Sequence, residues 1–152
     1  MGDFVILDKV MQKKVVTITK DRPLIEACNI MIKKNIGCIV VVSRRDPHKV
    51  LGIFTERDLL RIVTIVKHIH NLTVADVMTS PVDGLDIPKV ISRHPYITLI
   101  KISELMEKKG FRRVPIIVQG KLIGIITETD VTRLFKKIVK KHIYDLFSVG
   151  DK

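Results

Sequence analysis

Leu51-Gly52-Ile53-Phe54-Thr55-Glu56-Arg57-Asp58 returns 72 residues later as Ile123-Gly124-Ile125-Ile126-Thr127-Glu128-Thr129-Asp130. Each copy runs from a short β-branched, apolar stretch into Thr-x-x-Asp, the spacing of a strand that hands over to a capped helix. A phrase written twice calls for a comparison of the two halves. Upstream, Pro23-Leu24-Ile25-Glu26-Ala27-Cys28-Asn29-Ile30-Met31 matches Thr98-Leu99-Ile100-Lys101-Ile102-Ser103-Glu104-Leu105-Met106 at an offset of 75. The difference of three lies in a loop: Ser43 to Lys49 separates two strands in the first copy, where the second has a turn at Gln119-Gly120-Lys121. Val10-Met11 and Val77-Met78 correspond at an offset of 67, so the second copy carries about eight extra residues. They are assigned to 80–89, where Pro81, Gly84 and Pro88 predict a loop.

Periodicity gives each copy the same order of elements. Leu24, Ala27, Cys28, Met31 and Ile32 recur on one face of a helix that packs inward. Cys38 to Val42 and Val50 to Phe54 are too short for core helices and read as adjacent strands. Leu59, Ile62, Val63, Val66 and Ile69 mark a second helix. The second copy repeats this with a helix over 99–109, strands at 114–118 and 122–126, and a helix from Val131 towards His142. A short strand near Val15 to Thr19, or its counterpart, precedes each unit. Directly connected strands predict hairpins, and a strand reached across a helix predicts parallel pairing. The fold class is therefore α/β: two repeats, each a small sheet with packed helices, related by a pseudo-two-fold axis with a cleft where matching loops meet.

Composition agrees with a compact globule: 46% of residues are apolar, 28% are charged, and 42 are Val or Ile. The net charge of +11 permits attraction to phosphate, nucleic acid or an anionic surface. It is spread evenly, +6 over 1–75 and +5 over 76–152, so neither half is a basic tail. Two cysteines, Cys28 and Cys38, are too few for a disulfide framework or a four-ligand zinc site. The start of the chain lacks a signal-peptide pattern and no run is long enough to span a bilayer, so the expected location is cytoplasmic, without membrane insertion.

Chemistry-bearing motifs are few. Thr55-x-x-Asp58 and Thr127-x-x-Asp130 predict capping boxes, with Asp at the position where Glu or Gln is more usual. A helix start also offers spare backbone donors to an anion, so capping and recognition are compatible. Arg113, just before a strand, suits an anionic group because a guanidinium donates a fixed fork of hydrogen bonds. The matching stretch Ile36-Gly37-Cys38-Ile39-Val40 has no arginine, so two clefts would differ. His48, His68, His70, His94 and His142 lack a companion ligand set, and no metal is expected. Neither a phosphate-binding P-loop, a dinucleotide glycine fingerprint nor a supported catalytic triad is present, so the chain is expected not to be an enzyme.

The ordered recurrence of Val74-Ala75-Asp76-Val77-Met78-Thr79, the helix ending in Met106, Arg113-Val114-Pro115-Ile116-Ile117-Val118 and Gly124 to Asp130 resembles a tandem pair of CBS domains, a Bateman module. The resemblance covers almost the whole length, with a first repeat over 1–70 and a second over 71–152 ending in a C-terminal helix. It implies a regulatory module that binds an adenosine-containing ligand (AMP or ADP first, ATP or S-adenosylmethionine next) in interrepeat clefts, with no cofactor required. Occupancy would change the geometry of a homodimer or of an unidentified effector protein. The resemblance makes Asp58 and Asp130 the ribose acceptors, with Thr55 and Thr127 beside them. It places basic residues at Arg112 and Arg113 and a hydroxyl at Thr129, where the first copy has Arg57. Backbone near Thr17 and Ile18, and near Ser92-Arg93-His94, is the expected adenine wall. Asp130 is expected to outweigh Asp58, because only the second copy pairs its acid with Arg112, Arg113, Thr127 and Thr129 in one polar set. Two other readings compete: a basic nucleic-acid-binding protein, weakened by an aromatic content of 5%, and a structural partner-binding module with degenerate clefts.

Overall fold

A computed structural model describes residues 7–80, 85–86 and 95–148. The first repeat holds strand β1 (Thr17–Thr19), helix α1 (Leu24–Lys34), strands β2 (Cys38–Val42) and β3 (Val50–Thr55), and helix α2 (Glu56–Val63). Two 3-10 turns, Ile69–Asn71 and Val74–Asp76, lead to the second repeat. That repeat holds β4 (Leu85–Asp86), α3 (Pro95–Lys109), β5 (Arg113–Val118), β6 (Lys121–Thr127) and α4 (Glu128–Ser148). Each repeat makes a three-stranded sheet, β1-β2-β3 and β4-β5-β6. The strand reached across a helix pairs in parallel and the directly connected pair is an antiparallel hairpin.

The two sheets share their register. A bulge falls between Val41 and Val42 in one and between Ile116 and Ile117 in the other. Cys38 pairs with Thr55 as Arg113 pairs with Thr127, which makes Arg113 the counterpart of Cys38 and Arg112 that of Gly37. Ile18 pairs with Val41 as Leu85 pairs with Ile116, so the offset of 67 still holds at β4. The extra residues of the second copy therefore accrue after Asp86, whereas the sequence reading put them in a loop over 80–89. Most of that stretch, and Ser92-Arg93-His94, lie outside the described residues.

Three cores hold the molecule together. Leu24, Ala27 and Met31 of α1 pack on Ile18, Ile39, Val41 and Phe54. In the second repeat Leu99, Ile102 and Met106 pack on Val114, Ile116 and Ile126. Val40, Val42 and Ile125 form a third cluster where the sheets face one another.

The segments that lead into the repeats are exchanged. Leu7 and Met11, ahead of the first repeat, are buried in the second repeat's core, and Val74, ahead of the second, is buried in the first's. Gln12 bridges to Ile125 of β6, and Thr79 bridges to Ile53 of β3. Gly52 and Gly124 make room for this: a Cβ on Gly52 would lie 2.8 Å from the Met78 sulfur, and one on Gly124 would lie 2.7 Å from that of Met11. A boundary at residue 70 divides the sequence but not the packing.

Some elements depart from the periodicity. Ile32 is 79% exposed, not core; it stands about 100° round the helix from the buried Met31 and falls outside the inward arc. Helix α2 ends at Val63, with the Thr64 hydroxyl donating to the Arg61 carbonyl, so Val66 and Ile69 lie beyond it. Pro95 opens α3, a position where its missing N–H costs nothing.

Candidate functional site

Both Thr-x-x-Asp motifs fold as capping boxes. At α2, Asp58 Oδ2 accepts from the Thr55 N–H (2.9 Å) and the Thr55 hydroxyl (2.7 Å), while the Asp58 N–H donates to Thr55 Oγ1 (3.3 Å). At α4 the same three contacts measure 3.0, 2.6 and 3.2 Å between Thr127 and Asp130. Both carboxylates are only 5% exposed. Capping thus occupies one oxygen of each acid, and the two sites differ in what reaches the rest.

Asp58 receives one further donor, the Thr79 hydroxyl at 3.3 Å on Oδ1, with Arg61 standing off at 4.0 Å. Asp130 receives two, Gln12 Nε2 on Oδ2 (3.2 Å) and Arg133 Nη1 on Oδ1 (3.4 Å). An ionised carboxylate has about four acceptor directions. Among the described residues, three of Asp130's four donors share Oδ2 and two of Asp58's three do, so Oδ1 of each acid receives a single donor and keeps an open acceptor direction. Thr79 and Gln12 are themselves counterparts at the offset of 67, a consequence of the exchanged leading segments.

A cavity of about 390 Å³ opens beside Asp58. Thr55, Arg57, Asp58 and Thr79 line one side, and Lys109, Phe111, Arg112, Arg113 and Pro115 of the second repeat line the other. Its charged lining is Arg57, Arg61, Lys109, Arg112 and Arg113 against Glu56 and Asp58, an excess of three positive charges. Ile53, Phe111 and Pro115 supply an apolar surface. Arg57 Nη1 donates to the Gly110 carbonyl at 3.1 Å and so ties α2 to the turn that presents the arginines. Gly110 there takes a φ of +67°, a left-handed conformation that suits glycine.

This assembly differs from the sequence expectation in one decisive respect. Arg112 and Arg113 stand across the cleft from Thr55 and Asp58 and join them in one cavity, which Thr127, Thr129 and Asp130 do not line. The cause is the pseudo-two-fold packing: the strand start of one repeat faces the helix start of the other. By register the first repeat's counterparts of Arg112 and Arg113 are Gly37 and Cys38. Burial pushes the Cys38 thiol up to about 11, so that position is neutral at physiological pH where its counterpart is a guanidinium. Thr17 and Ile18 do not line the cavity. Successive strand residues point to opposite faces, and β1 turns Ile18 into the first core and leaves Thr17 exposed.

Sequence reasoning missed Glu56, Thr79, Lys109 and Phe111 as cavity residues. Thr79 closes the stretch Val74 to Thr79 and Glu56 lies within Thr55-x-x-Asp58, but neither is marked there as a binding residue. No local signal links Thr79, Lys109 or Phe111 to Asp58.

A CBS domain family model matches residues 7–65 and 74–137, one match to each repeat. The chain belongs to the CBS-domain family. Among curated relatives, an uncharacterized protein of Methanocaldococcus jannaschii is 30% identical over 83% of this chain and 41% of its own length. The CBS domain-containing protein YhcV of Bacillus subtilis is 28% identical over 80% of this chain and 79% of its own. The chain spans under two thirds of several relatives, 58% of a mitochondrial CBS-domain protein of Arabidopsis thaliana among them. A CBS-domain protein from Agrobacterium tumefaciens is similar in structure, with a TM-score of 0.70 and 32% identity over 84% of this chain and 88% of that one. A CBS pair solved with 5'-methylthioadenosine and S-adenosylmethionine superposes with a TM-score of 0.67 at 24% identity, over 85% of this chain and 98% of that one, which shows a shared fold. CBS-domain pairs are regulatory units, and no catalytic family is indicated for this chain. Among the described residues no helix is long and apolar enough to cross a membrane, and no cluster of His, Cys, Asp and Glu could hold a metal ion.

Proposed function

We propose that the chain is a regulatory adenine-nucleotide sensor, taking AMP or ADP in the cleft that joins Asp58 to Arg112 and Arg113. The observation that carries this reading is the cavity itself, which sets a carboxylate with an unfilled acceptor direction opposite a guanidinium pair, with an apolar wall between. Asp58 and Thr55 would take the ribose hydroxyls, as such groups are good acceptors for a diol. Arg112, Arg113 and Lys109 would take phosphate oxygens, and the excess of three positive charges favours a phosphorylated adenosine over an uncharged one. Ile53, Phe111 and Pro115 would cover the base, whose flat faces gain from leaving water. The existence of a CBS pair of the same fold with adenosine compounds bound supports the ligand class.

The ligand would act by drawing the two repeats onto a common anion and so biasing repeat or dimer geometry, which requires different affinities for the two shapes. Exposed Val139, Ile143 and Tyr144 on α4 offer an apolar stripe for a homodimer or an effector protein. Calorimetry on ligand-stripped protein with AMP, ADP, ATP and S-adenosylmethionine tests the assignment. One nucleotide per chain, with AMP or ADP bound more tightly than S-adenosylmethionine, is the expected result. A folded sample that binds none of the four sinks the nucleotide reading and leaves the family assignment standing.

A further inference from the structure

Arg113 does not stay within its own repeat. Its guanidinium crosses to the first repeat and lies over Gly37, where an added Cβ would meet Arg113 Nη2, and would stand 2.7 Å from Glu56 Oε2. Gly37 is the counterpart of Arg112, so the crossing exists because the first copy has no side chain where the second has a long one. Across that gap Arg113 Nη2 stands 4.0 Å from Glu56 Oε2. The partner arginine is treated alike: Arg112 Nε is 3.7 Å from Glu128 Oε2, and Glu128 is the counterpart of Glu56. Each guanidinium of the Arg112–Arg113 pair therefore faces a glutamate at the first turn of a helix, and of these two contacts only that with Glu56 joins the two repeats.

We infer that Glu56 is a built-in counter-anion, which holds Arg113 in the empty cleft and is exchanged for a ligand phosphate when the cleft fills. This inference rests on the proposed nucleotide site and assigns to Glu56 a penalty that falls on phosphorylated ligands and not on unphosphorylated ones. Arg113 is 27% exposed and Glu56 66%, so the pair is looser than a buried one and a better-placed dianion can displace it. While Glu56 remains charged it opposes each phosphate charge that enters; its removal therefore helps ADP at least as much as AMP and leaves adenosine almost untouched. Exchange also breaks the one ion pair described between α2 and β5, which links ligand charge to the relation between repeats.

Glu56→Gln, made in the whole chain and titrated by calorimetry with adenosine, AMP, ADP and inorganic pyrophosphate, tests this. Roughly two- to tenfold tighter binding is expected for AMP, ADP and pyrophosphate, shrinking as salt is raised, with adenosine changed less than twofold. A Gly37→Ala chain, which obstructs the crossing, should lose affinity for the phosphorylated ligands. Equal or weaker binding of AMP and pyrophosphate by folded Glu56→Gln protein would overturn the counter-anion role, as would a gain of equal size for adenosine. A gain for pyrophosphate alone, with no nucleotide bound by either protein, would retain Glu56 as counter-anion and remove the nucleotide assignment.

Discussion

The two helix starts are near copies in sequence and in capping geometry, yet they face different company. At α2 the cap acid looks across at Arg112, Arg113 and Lys109, and three donors reach it. At α4 the cap acid lies outside that cavity, and its further donors are Gln12 and Arg133. A duplicated motif thus yields one helix start that opens on a basic cavity and one that lies outside it. The lesson is that the capping function of Thr-x-x-Asp is local and shared, whereas any binding function depends on residues brought from the other repeat.

The strongest way to break this comparison is to remove each acid in turn. Asp58→Ala should weaken AMP or ADP binding by about 1–3 kcal/mol, a five- to 150-fold loss, because a buried ribose hydroxyl is left without its acceptor. Asp130→Ala should leave that affinity within about threefold, a change under 0.7 kcal/mol. Thermal melts on both variants must show folded protein, since each loses a cap. A larger loss from Asp130→Ala would restore the pairing that sequence proximity suggested and move the site to the second helix start.

Stability should, by contrast, treat the two motifs alike. Thr55→Ala and Thr127→Ala each remove one hydroxyl that both donates to and accepts from its acid, and each should cost about 0.5–2 kcal/mol in chemical denaturation. A cost confined to one of them would show that the two caps differ in strain or solvation despite contacts that agree within 0.1 Å.

The smallest effect concerns the neutral counterpart of Arg113. Burial raises the folded Cys38 thiol from its ordinary value of 9.0 to about 11, with Arg113 opposing and Glu56 assisting the shift. The fold therefore favours the protonated thiol. Its contribution to stability is complete below the unfolded value near 9 and declines as the pH rises through the window to about 11. Melting temperatures of wild type and Cys38→Ala, followed from pH 7 to pH 10.5, should show a steeper alkaline decline in wild type. Parallel declines would mean that the thiol ionises in the fold as readily as in the open chain.

Much of this molecule was legible in its sequence because the signals are local. Helix α1, the two hairpins and both capping boxes follow from 3.6-residue periodicity, β-branched runs and an acid three residues after a threonine. Each depends on neighbours within a few positions. Ile32 and the end of α2 were misread for a related reason: periodicity marks an apolar arc but not where the opposing sheet stops. Asp58 and Arg113 were both legible as groups with binding chemistry. Their partnership was not, since 55 positions separate them and no pattern in either stretch refers to the other.

The sequence alone determined that the chain is a duplicated α/β unit, that two of its helices are capped at Thr55 and Thr127, and that a guanidinium pair opens the first hairpin strand in only one copy. Only the tertiary structure decided which acid meets that pair. Apolar surfaces must be buried against one another, and the arrangement that does so crosses the leading segments, sending Leu7 and Met11 to the second core and Val74 to the first. That crossing sets Thr79 beside Asp58 and Gln12 beside Asp130. The same packing, through Val40, Val42 and Ile125, brings the strand start of one repeat opposite the helix start of the other. Burial is non-directional and summed over the whole chain, so no short stretch of residues records its outcome.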